Sequence, residues 1–522
     1  MVTTPRPRPC VTGPSVKGAL APGAAGSRGF SLHWENYVLS FSIDGHYENA
    51  ARAGKPRSRR GAAARLEPMA PARSALIAAF HAAGHELWLA GGELRDRLLG
   101  VADVDADFAT SALPDEIEQI AQDLGATVAT IGQRYGTIGV GLDEGWAEIT
   151  TFRGDSYTPG SRWPDVSFGR SIDEDLARRD FTVNALAENT ATGELRDPFG
   201  GRGDLEQRLL RAVGEPRARF AEDPLRILRG VRFVSQLGFT LEGETRTGMA
   251  AAVELLATLS QERVTGELDR LLGGADPAAG MEELEAIGGL AYVFPELAAM
   301  PGCDQNRFHQ FDVWGHTTAT VRAITVQPEN AARRRWAALL HDLGKPAVRH
   351  TKPNGEWGFF RHEIVGAEMA EVLGERLKLG KRESALVTLL VRRHMDRPDP
   401  ADARLVRRFM RRIEGHWRDL LALKRADNAS HTYDDHEYHD LLEAACERVE
   451  AEEAAMLRAE SPLDGRELME LLGRGPGPWV GRVKERLSTL VLDGELPPGD
   501  KEAAAAVARR MGGAAALLAE DE

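Results

Sequence analysis

The chain has 522 residues, of which 43% are hydrophobic, and a formal net charge of −14. This length fits about three or four domains, and no apolar run approaches the roughly 18 residues that span a bilayer, so we predict no membrane association. Three distant cysteines, Cys10, Cys303 and Cys446, exclude a disulfide framework and a Cys-x-x-Cys metal site, and they indicate a cytoplasmic protein. The acidic total alone argues against a polyanionic partner, but phosphate binding depends on local patches and stays possible.

Residues 1–66 are rich in Pro, Gly, Ala and Arg and show no sustained periodicity. We predict that this segment is disordered, or that translation starts further downstream, at Met69. Residues 71–84 then predict an amphipathic helix, and residues 87–90 a buried strand that leads into the sequence LAGGELRDRLLGVADVDADFAT at 89–110.

This stretch places a glycine pair before two carboxylates on one strand. Side chains alternate along a strand, so Asp105 and Asp107 point to the same face, and two like charges held side by side favour a cation between them. Gly91 and Gly92 have no Cβ and let backbone N–H groups approach an anion. In combination they predict a triphosphate held by amides and Mg²⁺, although a lone pair of aspartates on a strand is more often a solvated face. Asp103 shares that face and is the alternative ligand.

Residues 114–124 predict a second helix, and residues 127–153 predict three strands separated by glycine-containing turns. The last strand offers Glu148, either as a third carboxylate of the metal site or as an ordinary exposed residue. Arg153 at its end is placed to meet phosphate. Residues 154–172 read as a polar loop.

A second motif, DLARRDFTVNAL at 175–186, threads Arg178, Arg179, Asp180 and Asn184 through an apolar segment. Burying such groups is costly unless they are paired or bind a ligand, so the motif predicts a binding site.

The segment from Glu222 to Arg232 begins with acids and a proline, which predicts a helix N-terminus. Three arginines, Arg226, Arg229 and Arg232, fall on the side opposite its apolar residues. The arginines at 202–232 and at 404–412 are as consistent with solvated helix faces as with a nucleic-acid surface. Further helices are predicted at 243–295, including one at 261–272.

The histidines are unevenly distributed, since none lies between Glu86 and Phe308 and ten of the fourteen lie from His309 onward. The first metal site is therefore carboxylate-based, which suits Mg²⁺. In the second half, His316, the pair His341-Asp342 before Leu-Gly-Lys, and Asp427 form a spaced set of imidazole and carboxylate donors.

The Gly-Gly-x-x-Arg-Asp element with its paired aspartates resembles the DNA polymerase β-like nucleotidyltransferases, specifically the tRNA CCA-adding enzyme and bacterial poly(A) polymerase family. The resemblance implies catalysis by Asp105, Asp107 and Glu148. It also implies that Asp180 and Asn184 orient the ribose, that Asp223 and Arg226 read the base, and that Arg229 faces the phosphates. The implied nucleotide-binding set is Gly91, Gly92, Arg95, Arg153, Arg179, Asp180, Asn184, Asp223, Arg226 and Arg229.

The histidine-containing set is similar to the HD phosphohydrolase superfamily. That resemblance implies a divalent metal (Mg, Mn, Ni or Fe) on His316, His341, Asp342 and Asp427, and a possible second one on His362 and His394. We interpret a further group, His431, His436 and His439, as a solvated helix face.

These observations predict an α+β protein. The expected parts are a disordered extension (1–66), a nucleotidyltransferase head (67–195), a helical neck and body that binds base and RNA (196–300), an HD domain (301–440) and a helical C-terminal segment (441–522). The predicted reaction is template-independent addition of CCA to tRNA from CTP and ATP. The alternatives are a poly(A) polymerase, an enzyme that adds only CC or only A, in which the 154–172 loop would differ, and an HD phosphohydrolase with an inert RNA-binding head. The oligomeric state is left open.

Overall fold

The computed structural model describes residues 71–101, 106–143, 145–156, 165–169, 171–458 and 461–513. The predicted N-terminal extension lies outside these residues, as do Asp103, Asp105 and positions 157–164 and 170 of the predicted loop. Over the described ranges, no helix combines the length and the apolar character needed to cross a membrane.

One mixed sheet of seven strands forms the head. Its strands are β1 (Leu87–Ala90), β2 (Ala106–Thr110), β3 (Val128–Ala129), β4 (Thr137–Leu142), β5 (Gly145–Thr151) and, after a separate hairpin of β6 (Arg153–Ser156) and β7 (Asp165–Phe168), β8 (Ala187–Asn189) and β9 (Leu195–Arg196). The spatial order is β3-β4-β5-β2-β1-β8-β9, with β2 and β5 parallel and the other neighbours antiparallel. The predicted α+β class is confirmed.

Helices cover this sheet because its strands alternate between buried and partly exposed side chains. They are α1 (Arg73–Ala82), α2 (Gly92–Leu98), α3 (Pro114–Asp123), α4 (Ile172–Ala177) and α5 (Gly201–Gln207). On one face Phe80 of α1 and Ile117 of α3 join Ile149 of β5 in the main core. On the other face Leu176 of α4 packs in a smaller cluster with Trp88 and Phe152. Helices packed on both faces fix the sheet, so side chains at its strand ends keep defined positions.

The neck is a helical layer after a short parallel pair, β10 (Leu209–Leu210) and β11 (Thr240–Leu241). Its helices are α6 (Pro216–Glu222), α7 (Leu225–Leu237), α8 (Gly243–Ala252), α9 (Gln261–Leu272), α10 (Pro277–Ala286) and α11 (Leu290–Val293). The prediction of α9 is confirmed at both ends. The single helix predicted from Glu222 is wrong at its start, because Asp223 adopts an extended conformation and separates α6 from α7.

The solvated interpretation of the α7 arginines is also wrong for two of them. Arg226 is 6% exposed and Arg232 is fully buried. Arg232 Nε lies 3.1 Å from Glu267 Oε2 on α9. Helix α7 is packed between α9 and α10, so its polar side faces protein partners rather than water.

A helical domain follows, with one two-stranded hairpin of β12 (His350–Thr351) and β13 (Trp357–Gly358). Its helices are α12 (Val313–Ala323), α13 (Ala331–Leu340), α14 (Lys345–Val348), α15 (His362–Arg376), α16 (Lys381–Arg393), α17 (Ala403–Arg412), α18 (Trp417–Asn428) and α19 (His436–Arg458). The C-terminal helices are α20 (Gly465–Leu472), α21 (Pro478–Leu492) and α22 (Lys501–Gly513), and the Gly-Pro-Gly-Pro sequence at 475–478 separates the first two. They share a hydrophobic cluster of their own around Trp479 and Leu487.

Candidate active sites

The head carboxylates lie on neighbouring strands. Asp107 of β2 and Glu148 of β5 are register partners on neighbouring strands, so the two side chains share one face of the sheet. Both residues are partly exposed. The structure therefore places Glu148 beside Asp107, as a third carboxylate of the metal site would need to be, while Asp105, the predicted partner of Asp107, lies outside the described residues.

Gly91 lies close to the side chain of Asp107. It ends β1 with φ of +76°, a conformation that favours glycine, and α2 begins at Gly92. A Cβ built on Gly91 would lie 2.9 Å from Arg179 Nη1 and 3.3 Å from Asp107 Oδ2. The backbone of Gly91 therefore packs closely against a guanidinium and a carboxylate, with no room for a side chain. Carboxylate oxygens fit Mg²⁺, and a guanidinium beside a glycine backbone fits a phosphate chain.

A buried carboxylate orients the arginines of the second motif. Asp175 is fully buried, with Oδ1 2.6 Å from Arg178 Nη2 and Oδ2 3.1 Å from Arg179 Nη2. Burial opposes ionisation, but the two guanidinium groups outweigh it and lower the pKa of Asp175. Arg179 also donates through Nη1 to the carbonyl oxygen of Asn184 at 3.0 Å. Its side chain is held in place beside Gly91.

A buried network joins three elements that sequence alone could not connect. Asn184 donates through Nδ2 to Asp180 Oδ1 at 3.1 Å and accepts at Oδ1 from Arg95 Nη1 of α2 at 2.8 Å. Arg229 of α7 donates through Nε to Asp180 Oδ2 at 2.6 Å. Burial opposes it, but Arg229 and Asn184 hold the pKa of Asp180 well below its usual range. Four of the predicted nucleotide-binding residues are therefore joined in one hydrogen-bonded network: Arg95, Asp180, Asn184 and Arg229.

The predicted base-reading pair lies at the α6–α7 junction. Asp223 is bound by Arg263 of α9, with Nη2 3.0 Å from Oδ2. Arg226 donates to Glu222 Oε2 at 2.8 Å and to the carbonyl oxygen of Arg178 at 2.9 Å. Arg226 therefore contacts the motif that holds Arg179, and Arg263 is a participant that no sequence pattern indicated.

Two further head residues complete this region. Arg153, predicted to meet phosphate, donates to the carbonyl oxygen of Tyr135 at the start of β6. Glu93 of α2 was missed by sequence reasoning. Its carboxylate accepts from Arg73 Nη2 at 2.5 Å and from the backbone N–H of Asp107 at 3.3 Å, and burial raises its pKa. Only the fold brings α1, α2 and β2 together, so local spacing could not have revealed it.

All six predicted HD ligands converge at one place. His316 Nε2 lies 3.1 Å from His341 Nε2, 3.2 Å from Asp342 Oδ2 and 3.0 Å from Asp427 Oδ1. On the other side of Asp342, its Oδ1 lies 3.3 Å from His362 Nε2. The sixth residue, His394, places Nε2 3.1 Å from that of His362. Asp342 thus stands between two donor groups.

The imidazole orientations fit metal binding. In His341, His362 and His394, Nδ1 lies 2.8, 2.9 and 2.6 Å from a backbone carbonyl oxygen three residues earlier. A carbonyl only accepts, so each Nδ1 carries a proton, and each Nε2, once deprotonated, is the ring nitrogen that can bind a metal. Such second contacts are typical of metal-binding histidines. A cleft of about 470 Å³ opens over this donor set.

The charged groups of this cluster shift one another's pKa values. Burial opposes protonation of His341, but Asp342 and Asp427 raise its pKa to about 10. Burial likewise opposes ionisation of both carboxyls, yet His341 and Lys345 beside Asp342, and His316 and His341 beside Asp427, hold their pKa values well below the usual range. Two ionised carboxylates among buried imidazoles form a donor set for a divalent cation.

The solvated interpretation of the later histidines is wrong for two of three. His436 is 61% exposed, as predicted. His439 is 2% exposed because it lies on the inner side of α19. His431 Nε2 lies 3.5 Å from Asp427 Oδ1, because the chain after α18 turns back and pairs with His309. His309 itself was not predicted, since its partner is more than a hundred residues away.

The fold and these sites define the class of the protein: a nucleotidyltransferase head joined by a helical neck to an HD domain. Comparisons with known families agree. Residues 87–211 match the Poly A polymerase head domain, residues 238–300 match the probable RNA and SrmB-binding site of polymerase A, and residues 309–430 match the HD domain.

Individual proteins are similar over most of their length. An A-adding tRNA nucleotidyltransferase of Deinococcus radiodurans is 36% identical, covering 78% of this chain and 92% of its own. A CCA-adding enzyme of Geobacillus thermodenitrificans is 35% identical, covering 79% and 90%. A CC-adding tRNA nucleotidyltransferase of Thermus thermophilus is 34% identical, covering 80% and 91%. The crystal structure of the Bacillus stearothermophilus CCA-adding enzyme in complex with CTP is 28% identical with a TM-score of 0.58, covering 84% and 95%. The chain belongs to the tRNA nucleotidyltransferase and poly(A) polymerase family and is a nucleotidyltransferase.

Proposed function

We propose that the chain adds CCA to the 3′ end of tRNA, using CTP and ATP and releasing pyrophosphate. The observation that supports this most is the close approach of Gly91 to Asp107 and Arg179, with Arg179 hydrogen-bonded to the Asp180–Asn184–Arg95 network. These substrates occur in the cytoplasm, which we propose as the site of action.

Each side chain then has a role. Asp107, with Asp105 and Glu148, would hold Mg²⁺, which would neutralise charge developing on the α-phosphate as the tRNA 3′-hydroxyl attacks. Arg179, beside Gly91, would bind the triphosphate. Asp180 and Asn184 would orient the ribose, and Asp223 with Arg226 would present hydrogen-bonding groups to the base edge, so that protein groups replace a template.

Three related products need to be separated, because relatives named for adding A, CC or CCA are about equally similar to this chain. The test uses two tRNAs, one ending at the discriminator base and one ending in CC, each with CTP, ATP or both, followed by sequencing of the 3′ ends. We expect CC from CTP alone and complete CCA from both nucleotides. Extension limited to C or to A, or long A tails, would contradict the proposal.

The head is tested by substitution. Asp107→Ala should abolish extension while leaving the fold intact, because it removes a partly exposed carboxylate. Asp143→Ala is the matched control, since Asp143 is an exposed carboxylate at the turn between β4 and β5. An equal loss of extension activity in the two variants would mean that general destabilisation of the protein explains the effect.

We propose a second activity, hydrolysis of phosphoesters, in the HD domain. It is favoured by the convergence of His316, His341, Asp342, Asp427, His362 and His394 on one point. These residues would bind one or two divalent ions, Mg, Mn, Ni or Fe, whose chemistry there is to activate water against a phosphoester. With p-nitrophenyl phosphoesters and each metal in turn, we expect hydrolysis by the wild type and none by Asp342→Ala. As a control, Asp342→Ala should add CCA as the wild type does, because the two activities use separate sites.

A further inference from the structure

A third group of donors lies beside the two that Asp342 connects. Ring nitrogens of His309, His316 and His431 all lie within 4.8 Å of one another. A cation about 2.1 Å from each nitrogen needs them about 3.5 Å apart, so side-chain shifts of about 1 Å would suffice. Asp427 Oδ1 lies 3.0 Å from His316 Nε2 and 3.5 Å from His431 Nε2. Asp427 therefore adjoins this group in the way that Asp342 adjoins the other two.

The backbone holds His309 and His431 together before any ion binds. The two residues form an antiparallel bridge, and the N–H of Thr432 donates to the carbonyl oxygen of Phe308 at 3.0 Å. Gln310 adds a side-chain bond to the carbonyl oxygen of His431, also at 3.0 Å. A donor pair fixed in this way loses little conformational entropy when it binds a ligand.

The ring nitrogens of this pair suit ligation. Asn306 Oδ1 lies 3.0 Å from His309 Nδ1, and an amide oxygen only accepts, so His309 Nε2 keeps its lone pair. His431 lines the cleft, and its Nε2 lies 3.5 Å from Asp427 Oδ1, so Nε2 is the ring nitrogen that would bind a cation shared with that carboxylate. Its Nδ1 is buried and has no hydrogen-bond partner within the described part of the chain.

We propose that His309 and His431, with Asp427 as a shared carboxylate, hold a third divalent cation next to the two proposed sites. This inference rests on the proposed HD metal centre and extends it into a row of three positions linked by Asp342 and Asp427. An imidazole-rich site favours Co²⁺, Ni²⁺ or Zn²⁺ over Mg²⁺. A third cation would contact the ester oxygen of a substrate in the cleft, as adjacent metals do in other phosphoesterases.

Lys345 provides an internal check. Its ammonium lies 3.3 Å from His309 Nε2 and 2.6 Å from Asp342 Oδ2, so a cation bound by His309 must compete with it. Removing this charge should favour the third ion. Lys345→Met is therefore expected to bind it about tenfold more tightly, a change of about 1.4 kcal/mol.

The experiment measures metal stoichiometry rather than activity. Full-length protein is stripped with a chelator and titrated with Co²⁺ in millimolar Mg²⁺, which occupies the carboxylate site of the head. Bound cobalt is counted by mass spectrometry, and its visible spectrum reports nitrogen ligation. We expect three ions in the wild type and in His436→Ala, the exposed control, and two in the His309→Ala, His431→Ala double variant.

Each other result has a defined meaning. Two ions in both the wild type and the double variant would overturn the third site and leave the proposed pair standing. Three ions in the double variant would also overturn it. No cobalt in any variant would refute the HD metal centre itself. His431→Gln, a change that preserves side-chain volume, repeats the measurement if the double variant folds poorly, and it should also lose one ion.

Discussion

Gly91 and Gly100 both have a positive φ, +76° and +75°, but very different surroundings. A Cβ on Gly91 would meet Arg179 and Asp107, whereas a Cβ on Gly100 would meet nothing within 4 Å. Alanine at a positive φ costs about 1 kcal/mol or more, and the cost is higher at Gly91, whose ψ of −138° lies outside the left-handed region. We expect Gly91→Ala to lower kcat/KM for nucleotide addition by about 100-fold or more, and Gly100→Ala to stay near wild type. Similar losses in steady-state assays of the two would show that strain, not crowding, matters.

Asp175 offers a pH-dependent test at the same scale. Its pKa is lowered in the folded state despite burial, because Arg178 and Arg179 bind it. Its stabilising effect is therefore complete above the unfolded pKa of about 3.9 and is lost as the pH falls through the folded value. Asp175→Asn leaves two guanidinium groups without their carboxylate and should cost about 3–5 kcal/mol near neutral pH.

The measurement is denaturant unfolding of both proteins between pH 7 and pH 3. The difference in unfolding free energy should be constant down to about pH 5 and shrink below about pH 4. A pH-independent difference would mean that Asp175 acts through packing alone. Nucleotide KM should rise as well, because Arg179 loses its anchor beside Gly91.

At the scale of elements, α7 and α9 are joined by a buried ion pair. Arg232 is fully buried and Glu267 is 4% exposed, with Arg232 also over the ring of Phe233 at 4.3 Å. Removing one partner leaves an uncompensated charge, so Glu267→Gln should lower stability by about 3 kcal/mol or more. The double variant Arg232→Met, Glu267→Leu should recover most of the lost stability, because it removes both charges. Thermal unfolding checks this, and a double variant no better than Glu267→Gln would contradict the electrostatic explanation.

Elements with strong local patterns were predictable, and connections between them were not. The bounds of β1 and α9 follow directly from periodicity and capping signals. The family motifs indicated Asp107, Arg179, Asp180 and Asn184, and the fold brings these residues into one region. Arg263 beside Asp223, Glu93 beside Asp107 and His309 beside His431 depend on contacts between distant segments. No single-sequence pattern encodes those, which is why burial of Arg232 and His439 was missed as well.

For the whole molecule, the distribution of charge matters more than its total of −14. Five arginines of the neck, Arg211, Arg219, Arg226, Arg229 and Arg232, already have carboxylate partners. Pairing offsets their charge, so they attract a polyanion from a distance less than unpaired arginines would. Long-range steering of a polyanion by the net charge is unfavourable, so its binding must depend on local contacts.

The separate hydrophobic cluster of the C-terminal helices predicts how the described chain can be divided. One core runs from Phe80 in the head through Trp336 to Val449 of α19, whereas α20–α22 have a separate cluster. Removing residues 459–522 should therefore leave the first core intact. We expect the truncated chain to keep the main thermal transition of the full-length protein and to lose the part contributed by α20–α22.

Activity separates a structural role of these helices from a binding role. If α20–α22 contact tRNA, truncation should raise the KM for tRNA while kcat and the KM for CTP stay near wild type, because Asp107 and Arg179 are untouched. Steady-state kinetics with saturating nucleotide measure this, and p-nitrophenyl phosphoester hydrolysis serves as the internal control for an intact HD domain. A fall in kcat for both activities would instead show that α21, which packs against α19, supports the whole molecule.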